Sequence, residues 1–286
     1  MASLLLPAIL ALPLAVNGLP TVLVTGTTGR TGAAAYKQLK ADSGFKVRAF
    51  VRNATKAKDV LECDKCDESE GIFVGNLDDP KSVDNAMKGV DQLVIVTAAV
   101  AHCHGTVPIP PFGSCSYPEG GFPKDIDWEG TKTQIRAFAA QGNVSAKHVA
   151  YVSSGGTTTP NSFFDKIGNG HISFYKLNAE AFIMGSGLPF TVVKPCGLGE
   201  GPAGKKKLIV GHDDSINLAI DHTIQRADVA RVLVESLRSP SMSSGLRFDL
   251  CSHWHGAATT DVVTDVFKAA MYPWDGRLKA ERQIIV

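Results

Sequence analysis

The chain has 286 residues, 44% of them hydrophobic and 20% charged, with a formal net charge of +1. That composition is ordinary for a soluble globular protein and long enough for one large α/β domain. So balanced a charge leaves no electrostatic footprint for nucleic acid, and the densest basic run, Lys205-Lys206-Lys207, is a short solvated cluster.

Residues 1–16, MASLLLPAILALPLAV, carry no charge, but two prolines interrupt them and they fall short of a membrane span of about 20 residues. With no Lys or Arg there is no basic leader of the secretory kind. Residues 1–18 therefore read as an organelle-targeting remnant or as an apolar arm that docks on a protein partner. The compartment expected is the plastid or the cytoplasm.

Downstream, TVLVTG, KVRAFVR, GIFVGN, DQLVIVT, HVAYVSS and FTVVKP read as buried parallel strands. Helical patterns at 30–40, 80–88, 128–141, 173–186 and 226–237 separate or follow them. Strand and helix in alternation predict a doubly wound parallel sheet of the Rossmann type. No repeat or long linker divides residues 19–286, which read as a single domain with ligand-facing segments in its C-terminal third. The connection at 99–127 is rich in Pro and Gly and leaves the fourth strand, so it is expected to overhang the carboxyl edge of the sheet.

The first strand runs into TGTTGRTG, where Gly26, Gly29 and Gly32 recur every three residues. A helix that starts there presents unpaired N–H groups and the positive end of its dipole, which suits a pyrophosphate. Glycine permits the tight turn, the close approach of a phosphate, and packing of helix on strand. The spacing departs by one residue from the usual dinucleotide fingerprint, but the strand–loop–helix context is the required one.

The second strand ends in FVRN. Arg52 stands where an NAD site places a carboxylate for the ribose 2′-hydroxyl. A guanidinium suits a 2′-phosphate, so Arg52, with Arg30, predicts NADP(H) over NAD(H).

The six cysteines are too sparse for a disulfide framework. Cys63 and Cys66 form a lone CxxC among acidic residues, and they read as surface-loop cysteines. The pairs His102/His104 and His253/His255 supply too few ligands, and no metal site is expected.

Taken together, TGTTGRTG, GNLDD, YPEGGFPKDIDWEGTKTQI, VSSGGT, IGNGHISFYKLNAEAFIMGSGLPFTVVKP, GHDDSI and RADVARVLVESL resemble the NmrA-like, NADP-binding group of atypical short-chain dehydrogenase/reductases, including its plant Rossmann-fold members. The resemblance covers residues from about 20 to about 250. It implies that Gly26, Thr28, Gly29, Arg30 and Gly32 hold the pyrophosphate and its surroundings. It assigns Arg52 to the 2′-phosphate, Asp78 to the adenine edge, and Thr97 and Ala98 to the ribose path. Ser153 and Ser154 would lie near the nicotinamide, Lys176 at its ribose, and Pro195, Cys196 and Gly197 on the closing side.

Ser153, Ser154 and Lys176 are the candidate catalytic residues. The usual YxxxK is missing. Four residues before Lys176 stands Ile172, which carries no proton to give, and Tyr175 lies about 100° around the helix from Lys176. Tyr36–Lys40 has the literal spacing but reads as helix surface after the glycine loop. Three functions stay open. One is an unusual NADP(H)-dependent oxidoreductase in which Ser153, Ser154, His171 or water manages the proton. The others are a non-catalytic NADP(H) sensor and an accessory subunit of a larger assembly. The substrate is not specified, and Trp128 and Phe163 are candidate apolar wall residues.

Overall fold

Strand β1 (Thr21–Thr25) is buried along its whole length, as β-branched residues between two helical layers require. The computed structural model describes residues 18–105, 113–159, 164–216, 223–253 and 262–278. Around β1 stand β2 (Lys46–Val51), β3 (Ile72–Val74), β4 (Gln92–Ile95), β7 (His148–Val152), β8 (Phe190–Pro195) and β12 (Leu246–Ser252). They run in the order β3-β2-β1-β4-β7-β8-β12, all parallel. The order reverses between β1 and β4, which opens a crevice at the carboxyl edge. Beyond β12 the sheet is extended by the short β9 (Gly197–Gly199), β10 (Leu208–Gly211) and β11 (Thr223–Gln225). The doubly wound sheet expected from the sequence is the fold observed.

Side chains alternate between two apolar layers, with the period of a strand. Val22, Val24, Val94, Ala150 and Val152 join one core, and Leu23, Leu93, Ile95, Val149 and Tyr151 the other. The first layer is closed by α1 (Arg30–Lys40), α2 (Ala54–Leu61), α6 (Arg226–Arg238) and α8 (Thr264–Ala270). The second is closed by α3 (Pro80–Met87), α4 (Gly130–Ala139) and α5 (Ile172–Met184). Each large aliphatic side chain buried this way contributes about 1.5–3 kcal/mol.

Helix starts follow local chemistry. Asn53 caps α2 by accepting from the N–H of Lys56, and Asp79 caps α3 with Pro80 in the first turn. The remaining short helix, α7 (Pro240–Ser243), turns the chain back into β12. None of the described helices is long and apolar enough to cross a membrane. Residues 1–17, Phe163, and the second histidine of HWH lie outside the described residues.

Within the 99–127 connection, β5 (His102–Gly105) pairs antiparallel with β6 (Gly113–Ser116). Two sequence expectations need correction. The cysteines are not surface thiols, since Cys63–Cys66, Cys103–Cys115 and Cys196–Cys251 are disulfide-bonded and Cys66, Cys196 and Cys251 are buried. Tyr36 is also buried, on the core face of α1, rather than on the helix surface.

Candidate functional site

The glycine loop is built by what it leaves out. Gly26 sits at φ +76, and a Cβ there would lie 2.8 Å from the backbone carbonyl of Val96, just after β4. A Cβ on Gly32 would collide with the carbonyl of Gly26. The loop is closed by the Gly29 N–H, which donates to the Gly26 carbonyl at 2.9 Å. Helix α1 then begins with no side-chain cap and no acidic residue in its first turn. The Thr27 hydroxyl in the loop is buried without a hydrogen-bond partner among the described residues. An uncapped helix start on a glycine cradle fits the pyrophosphate of a dinucleotide.

Around this cradle the predicted residues fall along the carboxyl edge. Thr28 is half-buried beside Gly29, while Arg52 is exposed at the tip of β2 with no hydrogen bond or ion pair to another described residue. Asp78 is exposed after β3, next to the helix cap Asp79. Thr97 follows β4 and accepts from the Gln134 amide at 3.4 Å, and Ala98 is exposed beside it. Arg30 is tied elsewhere: its guanidinium meets Glu200 at 2.9 Å, and Arg226 at the start of α6 reaches the same oxygen at 2.6 Å. Pro195 ends β8, and Gly197 begins β9.

Past the cradle, the site changes character and becomes a buried ionic network. Lys176 on α5 is 5% exposed and pairs with the fully buried Asp127 at 2.9 Å. Burial works against the Lys176 ammonium, but Asp127, Tyr151 and Glu180 outweigh it and hold the lysine above its ordinary value. The Ser153 hydroxyl donates to Glu180, which also accepts from Thr157 and from Arg247 at 2.7 Å. Ser154 instead donates to the Gly155 carbonyl at 2.9 Å. Deeper in the sheet, Lys194 on β8 is fully buried between Asp249 at 3.0 Å and Asp214 at 2.8 Å. Burial pushes the Asp214 carboxyl up, while bonds from Lys194, Thr158 and Gly156 prevail and keep it below the usual range.

Sequence reasoning missed Asp127, Glu180, Lys194, Asp214, Arg247 and Asp249. Two of them left a trace. Lys194 and Asp249 interrupt apolar strands, and a charge in a buried strand requires a counter-charge. They stand directly opposite one another across β8 and β12. Tyr151 was also missed. Its ring lies 5.4 Å from the Lys176 ammonium, but the phenol is fully buried and cannot serve as the absent motif tyrosine. Burial raises its pKa well above that of a free phenol. Trp128 packs edge-on against Phe182 and under the Lys132 ammonium, as a structural residue does.

Fold and cradle together define the class: a Rossmann protein of the kind that binds a nicotinamide dinucleotide. The chain belongs to the NAD(P)H-binding family, whose profile matches residues 26–240. It is 33% identical over 266 residues to sanguinarine reductase of Eschscholzia californica, covering 84% of this chain and 93% of that one. It is 36% identical over 252 residues to an uncharacterised chloroplastic protein of Arabidopsis thaliana, covering 87% of this chain and 74% of that one. Among solved structures it is similar to a putative NAD-dependent epimerase/dehydratase from Bacillus halodurans, with a TM-score of 0.65 at 23% identity over 87% of this chain and 99% of that one. The resemblance read from the sequence motifs agrees with these matches.

Proposed function

We propose that the protein is an NADPH-dependent reductase of a small organic electrophile, with the substrate seated between the β7–α5 network and the β5–β6 hairpin. The observation that carries this reading is the free Arg52 at the β2 tip, on the same sheet edge as the Ser153–Glu180 and Lys176–Asp127 pairs. Arg52 would hold the 2′-phosphate that separates NADP(H) from NAD(H). Gly26, Thr28, Gly29 and Gly32 would hold the pyrophosphate. Lys176, fixed by Asp127, would meet the nicotinamide ribose, and Pro195, Cys196 and Gly197 would close that side. When bound, the reduced nicotinamide supplies hydride. Ser153 would orient the acceptor oxygen by turning its hydroxyl proton from Glu180 toward it. The similarity to a protein named as a reductase supports the reaction class, and the chloroplastic relative supports a plastid location.

The test is direct. Purified protein is titrated with NADPH and NADH by calorimetry, then mixed with NADPH and a panel of aldehydes, quinones and enones while nicotinamide absorbance is followed. Tighter NADPH binding and acceptor-dependent oxidation are expected. NADPH binding without turnover on any acceptor would favour a redox sensor. Loss of co-purifying partners on deletion of residues 1–18 would favour an accessory subunit.

A further inference from the structure

Where the motif tyrosine is missing, Ile172 opens α5 and His171 stands just before it. We propose that His171, oriented by Asp165, is the acid that protonates the substrate oxygen; this rests on the reductase reading above. His171 is the residue from which α5 departs, and it sits in the left-handed region at φ 51, ψ 46. Asn169 and Gly168 before it also have positive φ, at 54 and 59. A left-handed histidine costs free energy and persists only where its surroundings fix it.

Those surroundings are Asp165. Its side chain is 7% exposed, and its two oxygens divide the work. Oδ1 accepts from the Phe174 N–H at 3.1 Å, in the first turn of α5, while Oδ2 faces His171 Nδ1 at 3.3 Å. Nε2 is left with no partner among the described residues, on a side chain that is 52% exposed. A buried carboxylate behind one ring nitrogen, with the other ring nitrogen open, is the arrangement that holds an imidazole for proton transfer.

Position agrees with the role. The Lys176 ammonium lies within 3.4 Å of the Val152 carbonyl, at the carboxyl end of β7. His171 precedes Lys176 by five residues, at the end of α5 that the β7–α5 connection brings to the carboxyl edge. Tyr117, at the base of the β5–β6 hairpin, packs its ring against the chain just before His171. Burial raises its phenol, and the charges of Asp127 and Asp165 add to the effect. A Cβ on Gly170 would strike the same Tyr117 ring.

The chemistry balances. For a carbonyl substrate, the carbon gains the hydride and the C=O π pair moves to oxygen. That oxygen takes the proton from Nε2 of the His171 imidazolium. The products are an alcohol, oxidised nicotinamide and neutral imidazole, and water returns the proton. An acceptor that is already a cation, such as N-methylacridinium, needs hydride and no proton.

The experiment uses the full chain with NADPH, 4-nitrobenzaldehyde and N-methylacridinium, alongside calorimetric NADPH affinity for each variant. His171→Ala is expected to lower kcat on the aldehyde about 100-fold or more, in line with loss of a general acid, while leaving acridinium reduction and NADPH affinity within about twofold. His171→Asn should behave the same way. Asp165→Asn should show the same selective loss in milder form, a pattern that a merely structural role would not produce. Equal losses on both acceptors, or aldehyde turnover within twofold of wild type, would overturn the proposal while leaving the reductase reading intact. A wild-type protein that binds NADPH but reduces neither acceptor nor any other in the panel would overturn both.

Discussion

The two halves of the carboxyl edge are made by opposite means. The β1–α1 half is formed by missing side chains, with backbone N–H groups and a helix start left bare for an anion. The β7–α5–β8 half is formed by charged side chains sealed inside the protein and matched in pairs. The first half is bought with backbone freedom, and the second is held by charge compensation in a low dielectric. A nucleotide phosphate needs only donors, whereas positioning a reacting group needs fixed side chains. Under the proposed function, the contrast follows the division between holding the cofactor and acting on a substrate.

The largest effect expected lies in the ionic half. Lys194→Met keeps much of the volume but leaves Asp249 and Asp214 facing each other uncompensated. About 3–5 kcal/mol of stability should be lost in urea unfolding. A loss below 1 kcal/mol would mean that the network is a passive feature.

His148, at the opposite end of β7 from Ser153, comes next. Burial pushes its pKa down to about 4, so the folded state stays neutral where the unfolded chain takes up a proton. Stability is full above pH 6.5 and falls as the pH drops toward 4, by about 3 kcal/mol in all. In His148→Gln that part of the slope should vanish from a pH series of thermal unfolding.

In the glycine half, Gly26→Ala forces a side chain into the left-handed region and against the Val96 backbone. NADPH affinity measured by calorimetry should fall roughly 10–100-fold, from about 1–3 kcal/mol of strain. The smallest change expected is in Arg52→Gln. It should weaken NADPH by about tenfold and leave NADH unaltered, since a charge-assisted bond from an exposed arginine to the 2′-phosphate lies at the low end of about 1.5–3 kcal/mol. Equal weakening of both nucleotides would remove the basis for NADPH preference.

The same contrast decides what the sequence could disclose. The cradle was legible because its parts lie within seven residues and carry one residue type, Gly26 to Gly32. Strands β1, β2, β3, β4, β7 and β8 were legible as short apolar runs, and α1 to the residue. The ionic half was not, because its partners are far apart: 67 residues separate Glu180 from Arg247, and 49 separate Asp127 from Lys176. Helix α2 was overlooked because ATKAKDVL buries only Ala57 and Leu61, too few for a clear period. The β5–β6 hairpin hid inside a Pro- and Gly-rich stretch. Arg30 was expected at the cofactor, and its tie to Glu200, 170 residues away, had no local signal.

That tie changes how nucleotide arrival should be described. Glu200 already occupies the guanidinium of Arg30 and is shared with Arg226. A phosphate that takes the same Nη1 of Arg30 would displace a carboxylate, and the gain is then the difference between two anions on one cation. Such an exchange releases few small ions, so binding should depend on added salt less steeply than the number of basic groups at this edge would imply.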